Sequence, residues 1–191
     1  SGKDVSGKDP ARKNPPADEV CKGTKFLGGP EDYCPDDSED ISMTANEYKR
    51  IANDARKTVL RMIYEAQTAH IGSNFSCIDL LTVLYMGVAQ NLDKDLREDR
   101  DRVIVSKGWV AASVYYFLAE KGIIPKEDLE TYCKPGAKYI GLAEPSVRGI
   151  EAAGGSMGFG LPFGVGFALA KKLKKEKGRV FVLMSDGEQQ I

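Results

Sequence analysis

From Met43 onward, apolar residues recur at helical spacing. Ile51, Ala55, Val59, Met62, Ile63 and Ala66 share one face. Ahead of them, Thr44-Ala45-Asn46-Glu47 has the form of a capping box, in which Thr44 and Glu47 satisfy orphan amides. The pattern predicts a helix to about Ala69. A second N-cap, Ser76 with Asp79 three residues on, predicts a helix carrying Leu80, Leu81, Leu84 and Val88. Asp93 to Arg102 is a charged surface connection. Arg102-Val-Ile-Val-Ser106 is a short β-branched run and predicts a buried strand. A helix from about Trp109 to Glu120 follows, stopped by Gly122, and Pro125 opens a short helix at its N1 position. Residues 134–160 are glycine-rich and irregular. Leu161 to about Lys175 reads as a helix with a small-residue face (Gly164, Gly166, Ala168, Ala170), and Arg179 to Met184 as a second buried strand. Strands alternating with helices predict an α/β fold, a parallel sheet flanked by helices on both faces. Two strands are few for such a sheet, and the second ends where a further helix should begin. The expectation is a domain interrupted in its middle at Ile191.

Residues 1–42 break this pattern. They hold five of the nine prolines and 10 acidic against 6 basic residues, and their apolar positions have no period. Such composition buries too little surface to offset its ordering entropy. The reading is a linker or disordered tail over 1–42 and a domain over 43–191. The rival is a small extension docked through Phe26, Leu27 and Tyr33.

Charge and composition exclude several function classes. Lys plus Arg is 27 and Asp plus Glu is 28, a net charge of −1. A chain this close to neutral has no electrostatic footprint for nucleic acid or for an anionic membrane. Its apolar runs are far too short to span a bilayer. Cys21, Cys34, Cys77 and Cys133 include no Cys-x-x-Cys pair, and one histidine cannot complete a zinc site with them. Cys77 and Cys133 fall in apolar helical patterns and read as reduced core thiols. The cytoplasm is the expected compartment.

Three features carry chemistry. The run Gly154-Gly155-Ser156-Met157-Gly158-Phe159-Gly160 fits neither the dinucleotide fingerprint nor a P-loop, since Phe163 replaces the third glycine and no Gly-Lys-Ser/Thr follows. It remains a turn feeding a helix, able to approach a planar or anionic ligand closely or simply to pack. Asp186 stands at the end of the second strand, where open α/β sheets bind ligands. A carboxylate there can hold Mg²⁺ with phosphate oxygens, or be an ordinary Asp-Gly turn. His70, the only histidine, precedes Gly72 and Ser73 in a loop, where it is either a site residue or a satisfied surface group.

The order of these pieces resembles one family throughout. Ala69-His70-Ile71-Gly72, Asp101 to Gly108, Gly149 to Pro162 and Val182 to Glu188 are together similar to the N-terminal, thiamine diphosphate-binding domain of transketolase. The closer likeness is to split transketolases, where that domain is a separate subunit. The resemblance covers roughly residues 45–190. It implies a thiamine diphosphate-dependent transferase that passes a two-carbon ketol unit between sugars or sugar phosphates. It implies a partner, the C-terminal transketolase subunit or domain that supplies the activating glutamate, in a dimer or other oligomer. Residue by residue, it makes His70 the catalytic histidine facing substrate and thiazolium. Gly155 and Met157 become cofactor contacts, Asp186 the Mg²⁺ ligand, and Gly187 its neighbour in the diphosphate turn.

Departures from the family pattern are equally specific. The family's Ser-Lys-Gly-His is here Ser106-Lys107-Gly108-Trp109, and Leu142 stands where a second histidine is expected. Ile191 occupies the place of an acidic residue, and the asparagine that completes metal coordination lies past Ile191. The rival reading is therefore a catalytically impaired relative that serves for scaffolding or assembly. The third, a nucleotide-binding α/β module, has support from neither phosphate-loop motif.

Overall fold

The computed structural model describes residues 43–93 and 95–190. The expectations for residues 1–42 lie outside the described residues. Helix α1 (Ala45–Glu65) starts as predicted: Glu47 N donates to Thr44 Oγ1 at 3.3 Å, and Thr44 N donates to Glu47 Oε2 at 2.6 Å. Its face of Ala52, Ala55, Val59, Met62 and Ile63 is buried. It ends four residues before the predicted Ala69, because Gln67 turns into the left-handed region at φ 50°.

The next stretch departs from prediction. A short helix, α2 (Ile71–Phe75), takes the place of a loop, and Ser76 closes it rather than capping the following one. Helix α3 (Ile78–Val83) starts after Cys77, without a side-chain cap, and runs into a π-helical turn over Leu84–Val88. Leu81 is buried but Leu80 is 61% exposed, so the leucine-rich face predicted there is split.

Strand β1 (Arg102–Val105) leads through a 3₁₀ turn, Gly108–Val110, into helix α4 (Ala111–Glu120), which starts two residues later than predicted. Every residue from Ala111 to Ala119 is buried, making α4 the centre of the core. Gly122, at φ 68°, ends it as expected. The segment after Pro125 is a 3₁₀ turn, Glu127–Thr131, so Pro125 precedes the turn rather than occupying its first position. Cys133 lies outside any helix at φ 53°, contrary to the helical core position predicted, whereas Cys77 is buried in the core; both are free thiols.

Helix α5 (Gly160–Lys174) and strand β2 (Val180–Leu183) complete the chain's regular elements, followed by a 3₁₀ turn over Gly187–Gln190. β1 and β2 pair in parallel, Val103 opposite Phe181 and Val105 opposite Leu183. Val103, Val105, Phe181 and Leu183 face the main core. On the other face Gly164 of α5 lies against Val182 and Ile104; a Cβ there would sit 2.4 Å from Val182 Cγ2. The predicted α/β arrangement, with a parallel sheet flanked on both faces, is thus present. The small-residue face of α5 is not: Gly164 is buried while Gly166, Ala168 and Ala170 are exposed.

At the amino ends of the strands, charge fixes the framework. Arg100 and Arg102 donate to the two oxygens of Glu151 at 2.8 and 2.7 Å. Arg179 closes on the buried Asp101 at 2.9 Å. The two Glu151 pairs anchor the segment that runs into the glycine loop.

A candidate cofactor and substrate site at the carboxyl edge of the sheet

Ser106 directly follows β1, Ser185 lies two residues past β2, and both serines bind the same carboxylate. Glu188, 4% exposed, accepts from Ser106 Oγ at 2.7 Å and from Gly158 N at 3.1 Å on Oε1. On Oε2 it accepts from Ser185 N at 2.8 Å and Ser185 Oγ at 3.1 Å. Burial pushes the Glu188 carboxyl up. The Ser185 amide, the Ser106 hydroxyl, the Gly158 amide and the Ser185 hydroxyl outweigh it and hold the group below the usual carboxylate range. Glu188 is therefore an ionised clasp that joins both strand ends to the glycine loop. Ser106 Oγ in turn accepts from Gly160 N at 3.1 Å, serving as the cap that Phe159 does not provide for α5.

Around this clasp the predicted site residues are presented outward. Asp186 and Gly187 are exposed on the turn after β2, and Gly155 and Met157 are exposed on the glycine loop. Among the described residues Asp186 makes no ion pair, and no cluster of three or more metal-ligating side chains forms. The base of the loop is tight. A Cβ on Gly108 would sit 2.0 Å from the Gly154 carbonyl oxygen, and one on Gly154 would sit 2.4 Å from Gly108 Cα. Only glycine at both positions allows this approach. Leu142 is half-buried and packs between Gly108 and Gly155.

His70 belongs to the same edge through Trp109. Their rings stack with centroids 4.5 Å apart and an interplanar angle of 17°. His70 has φ 79°, in the left-handed region, which costs a non-glycine residue about 1 kcal/mol. Asn74 holds it there. Asn74 Nδ2 donates to the His70 carbonyl at 2.9 Å and the Trp109 carbonyl at 3.1 Å, and Ser73 Oγ reaches the same pair at 3.0 and 3.3 Å. Asn74 Oδ1 accepts from Ser113 N and Ser113 Oγ, both at 2.9 Å. Ser113 is in the first turn of α4, whose N-cap Val110 offers no side-chain acceptor, so Asn74 caps α4 from another element. Cys77, beneath, is not a reactive group: burial pushes its thiol up despite the Lys107 charge.

A continuous set of contacts thus runs from His70 through Trp109, Gly108, the glycine loop and Glu188 to the Asp186 turn. A model of the family described as transketolase, thiamine diphosphate binding domain, matches residues 47–186. The chain belongs to the transketolase family. It is 38% identical over 135 residues to one of the subunits of the apulose-4-phosphate transketolase of Phocaeicola vulgatus, covering 70% of this chain and 48% of that one. It is 31% identical over 139 residues to the 6-deoxy-6-sulfo-D-fructose transketolase subunit SqwG of a Clostridium species, covering 72% and 50%. Against mouse transketolase it is 30% identical over 142 residues, covering 73% and 23%. The chain spans about half the length of the curated subunits it matches. No helix among the described residues is long and apolar enough to cross a membrane.

Sequence reasoning named His70, Gly155, Met157, Asp186 and Gly187 but missed Glu188, Ser106 and Asn74 as the groups that hold them. The signal for Glu188 was its place two residues after Asp186, in a polar run directly following an apolar strand. Asn74 gave no signal, because its partners besides His70 lie 35 and 39 residues away.

Proposed function

We propose that this chain is the diphosphate- and metal-binding part of a thiamine diphosphate-dependent transketolase, working with a C-terminal transketolase subunit or domain in a dimer or larger oligomer. The observation that carries this reading is the clasp at Glu188. It sets the exposed Asp186 turn and the exposed glycine loop side by side at the carboxyl ends of two parallel strands. The donor set suits the cofactor. Mg²⁺ bound with a diphosphate needs one or two protein carboxylates, and Asp186 is a free hard-oxygen donor on such a turn. The exposed backbone at Gly155 and the soft, adaptable Met157 side chain suit the face of a heteroaromatic ring.

When bound, thiamine diphosphate supplies an electron sink for breaking a carbon–carbon bond beside a carbonyl. In this reading Asp186 holds the metal, Gly187 lets the turn approach the diphosphate, and Gly155 and Met157 orient the ring. A ring nitrogen of His70 exchanges a proton with a substrate oxygen. The substrates are sugars or sugar phosphates, and the relatives that are named as single subunits of a transketolase support a separate partner chain. The free thiols Cys77 and Cys133 fit a cytoplasmic setting.

Calorimetric titration of thiamine diphosphate into the full chain with its partner, with and without Mg²⁺, tests the reading. Asp186→Asn is expected to weaken Mg²⁺-dependent binding about tenfold or more, about 1.4 kcal/mol. Unchanged binding in that variant would remove Asp186 from the metal site. One observation favours the scaffold reading: Leu142 packs into the base of the loop where the family has a histidine. Absence of cofactor binding by the partnered protein would favour it.

A further inference from the structure

The only tryptophan and the only histidine of the chain are stacked on one another at the ligand edge of the sheet. Both rings are exposed, and Trp109 keeps 49% of its surface open. An indole left in water forgoes a large apolar burial, so its place needs a reason. It is not loose: Asn74 and Ser73 fix the carbonyls of both ring residues, and Asn74 is itself fully buried and bonded to α4. The fixed partner and the open surface together describe a preformed contact surface.

We propose that Trp109 is the specificity-determining residue of the site, its indole and the His70 imidazole forming one rigid platform that takes the C–H face of a sugar chain. Sugars carry apolar C–H patches between their hydroxyls, and the electron-rich face of an aromatic ring attracts such weakly positive C–H groups. An indole brings no charge and a single N–H, so it gives no grip on a phosphate. The ammonium nearest the platform along the chain, that of Lys107, is already directed to Ser76 Oγ at 2.9 Å and the Ser73 carbonyl at 3.4 Å. The platform therefore reads the carbon skeleton rather than an anionic substituent, and His70 is held against it for proton exchange at the adjoining oxygen. This rests on the transketolase reading only for the choice of a sugar as ligand.

The test uses the full chain with its partner, thiamine diphosphate and Mg²⁺. Trp109 emission is taken as the difference between wild-type and Trp109→Phe complexes. It should change saturably with D-fructose and with D-fructose 6-phosphate, and not with inorganic phosphate. Silence toward both sugars, or an equal response to phosphate alone, would overturn the proposal. In turnover, Trp109→Ala should raise the KM for the ketose about tenfold with kcat little changed, and Trp109→Phe should restore most of it. An unchanged KM in Trp109→Ala, or a loss confined to kcat, would also overturn it. If no sugar supports ketol transfer, the activity reading fails. The emission titration needs no turnover and still decides the platform.

Discussion

The two halves of the site edge do the same task with opposite chemistry. At the Asp186 turn, an ionised carboxylate, Glu188, gathers donors from two strand ends and the glycine loop. At the His70–Trp109 pair, a neutral amide, Asn74, gathers two carbonyls and a helix amide. Each sits buried beneath exposed candidate site residues, and each leads to a cap on a helix start, at α5 through Ser106 and at α4 directly. A charge makes stronger hydrogen bonds than an amide and accepts from four donors at once, but it can be neutralised by protons. The amide both donates and accepts, so it can bridge groups of opposite polarity, and no ordinary pH removes it. The comparison teaches that the Glu188 clasp is exposed to acid while the Asn74 clasp is not.

Breaking the amide should have the largest effect. Asn74→Ala leaves the buried Ser113 amide without its acceptor and frees the left-handed turn at His70. We expect a loss of about 3 kcal/mol in urea unfolding, read as a lower midpoint with unchanged slope. Glu188→Gln comes next. It keeps the shape but turns an NH₂ toward donors, and should cost about 2 kcal/mol near neutral pH. Its pH signature separates the two halves. Glu188 has a depressed folded pKa, so its stabilisation is fully present above the ordinary value of 4.5 and is lost as pH falls below that through the folded value. Stability measured from pH 6 downward, to about pH 3, should therefore fall less steeply in Glu188→Gln than in wild type. Asn74→Ala should keep the wild-type slope. Equal slopes in all three would dissolve the distinction.

Smaller effects sharpen the picture. Gly158 donates its amide to Glu188 at φ 82°, so Gly158→Ala should cost about 1 kcal/mol, visible as a lower Tm without loss of the pH signature. Trp109→Ala should move stability by no more than about 0.5 kcal/mol, since the ring is exposed and its backbone stays tied. A large drop in that variant would make the indole a packing element instead of a contact surface.

This contrast also explains what could be read from the chain alone. The start of α1 was legible because its cap is local: Thr44 and Glu47 are three residues apart. The strands were legible because β-branched runs flanked by charge have few other uses, and His70 and Asp186 could be named as candidates because each stands within two residues of a glycine at the end of a clear element. The starts of α4 and α5 were displaced by one or two residues because their caps come from Asn74 and Ser106, far away in sequence. Helix α2 was invisible for a related reason. It opens on a left-handed histidine that no local propensity favours and that only tertiary hydrogen bonds sustain. The candidate groups could thus be named from the chain, while the groups that orient them could not, since orientation is a property of contacts between distant segments.

The unequal burial of α4 and α5 sets an order for opening motions. In α4 nine consecutive residues are buried, whereas in α5 only Gly160, Gly164 and Lys171 are, and Leu161, Phe163, Val165, Leu169 and Leu173 stay in water. Deuterium should accordingly enter the amides of α5 through local fraying long before those of α4, which exchange only when the whole domain unfolds. The helix that carries the glycine loop at its head is then the part of the fold most responsive to whatever settles on its outer side. Slowed exchange along α5 would record that event at single-residue detail.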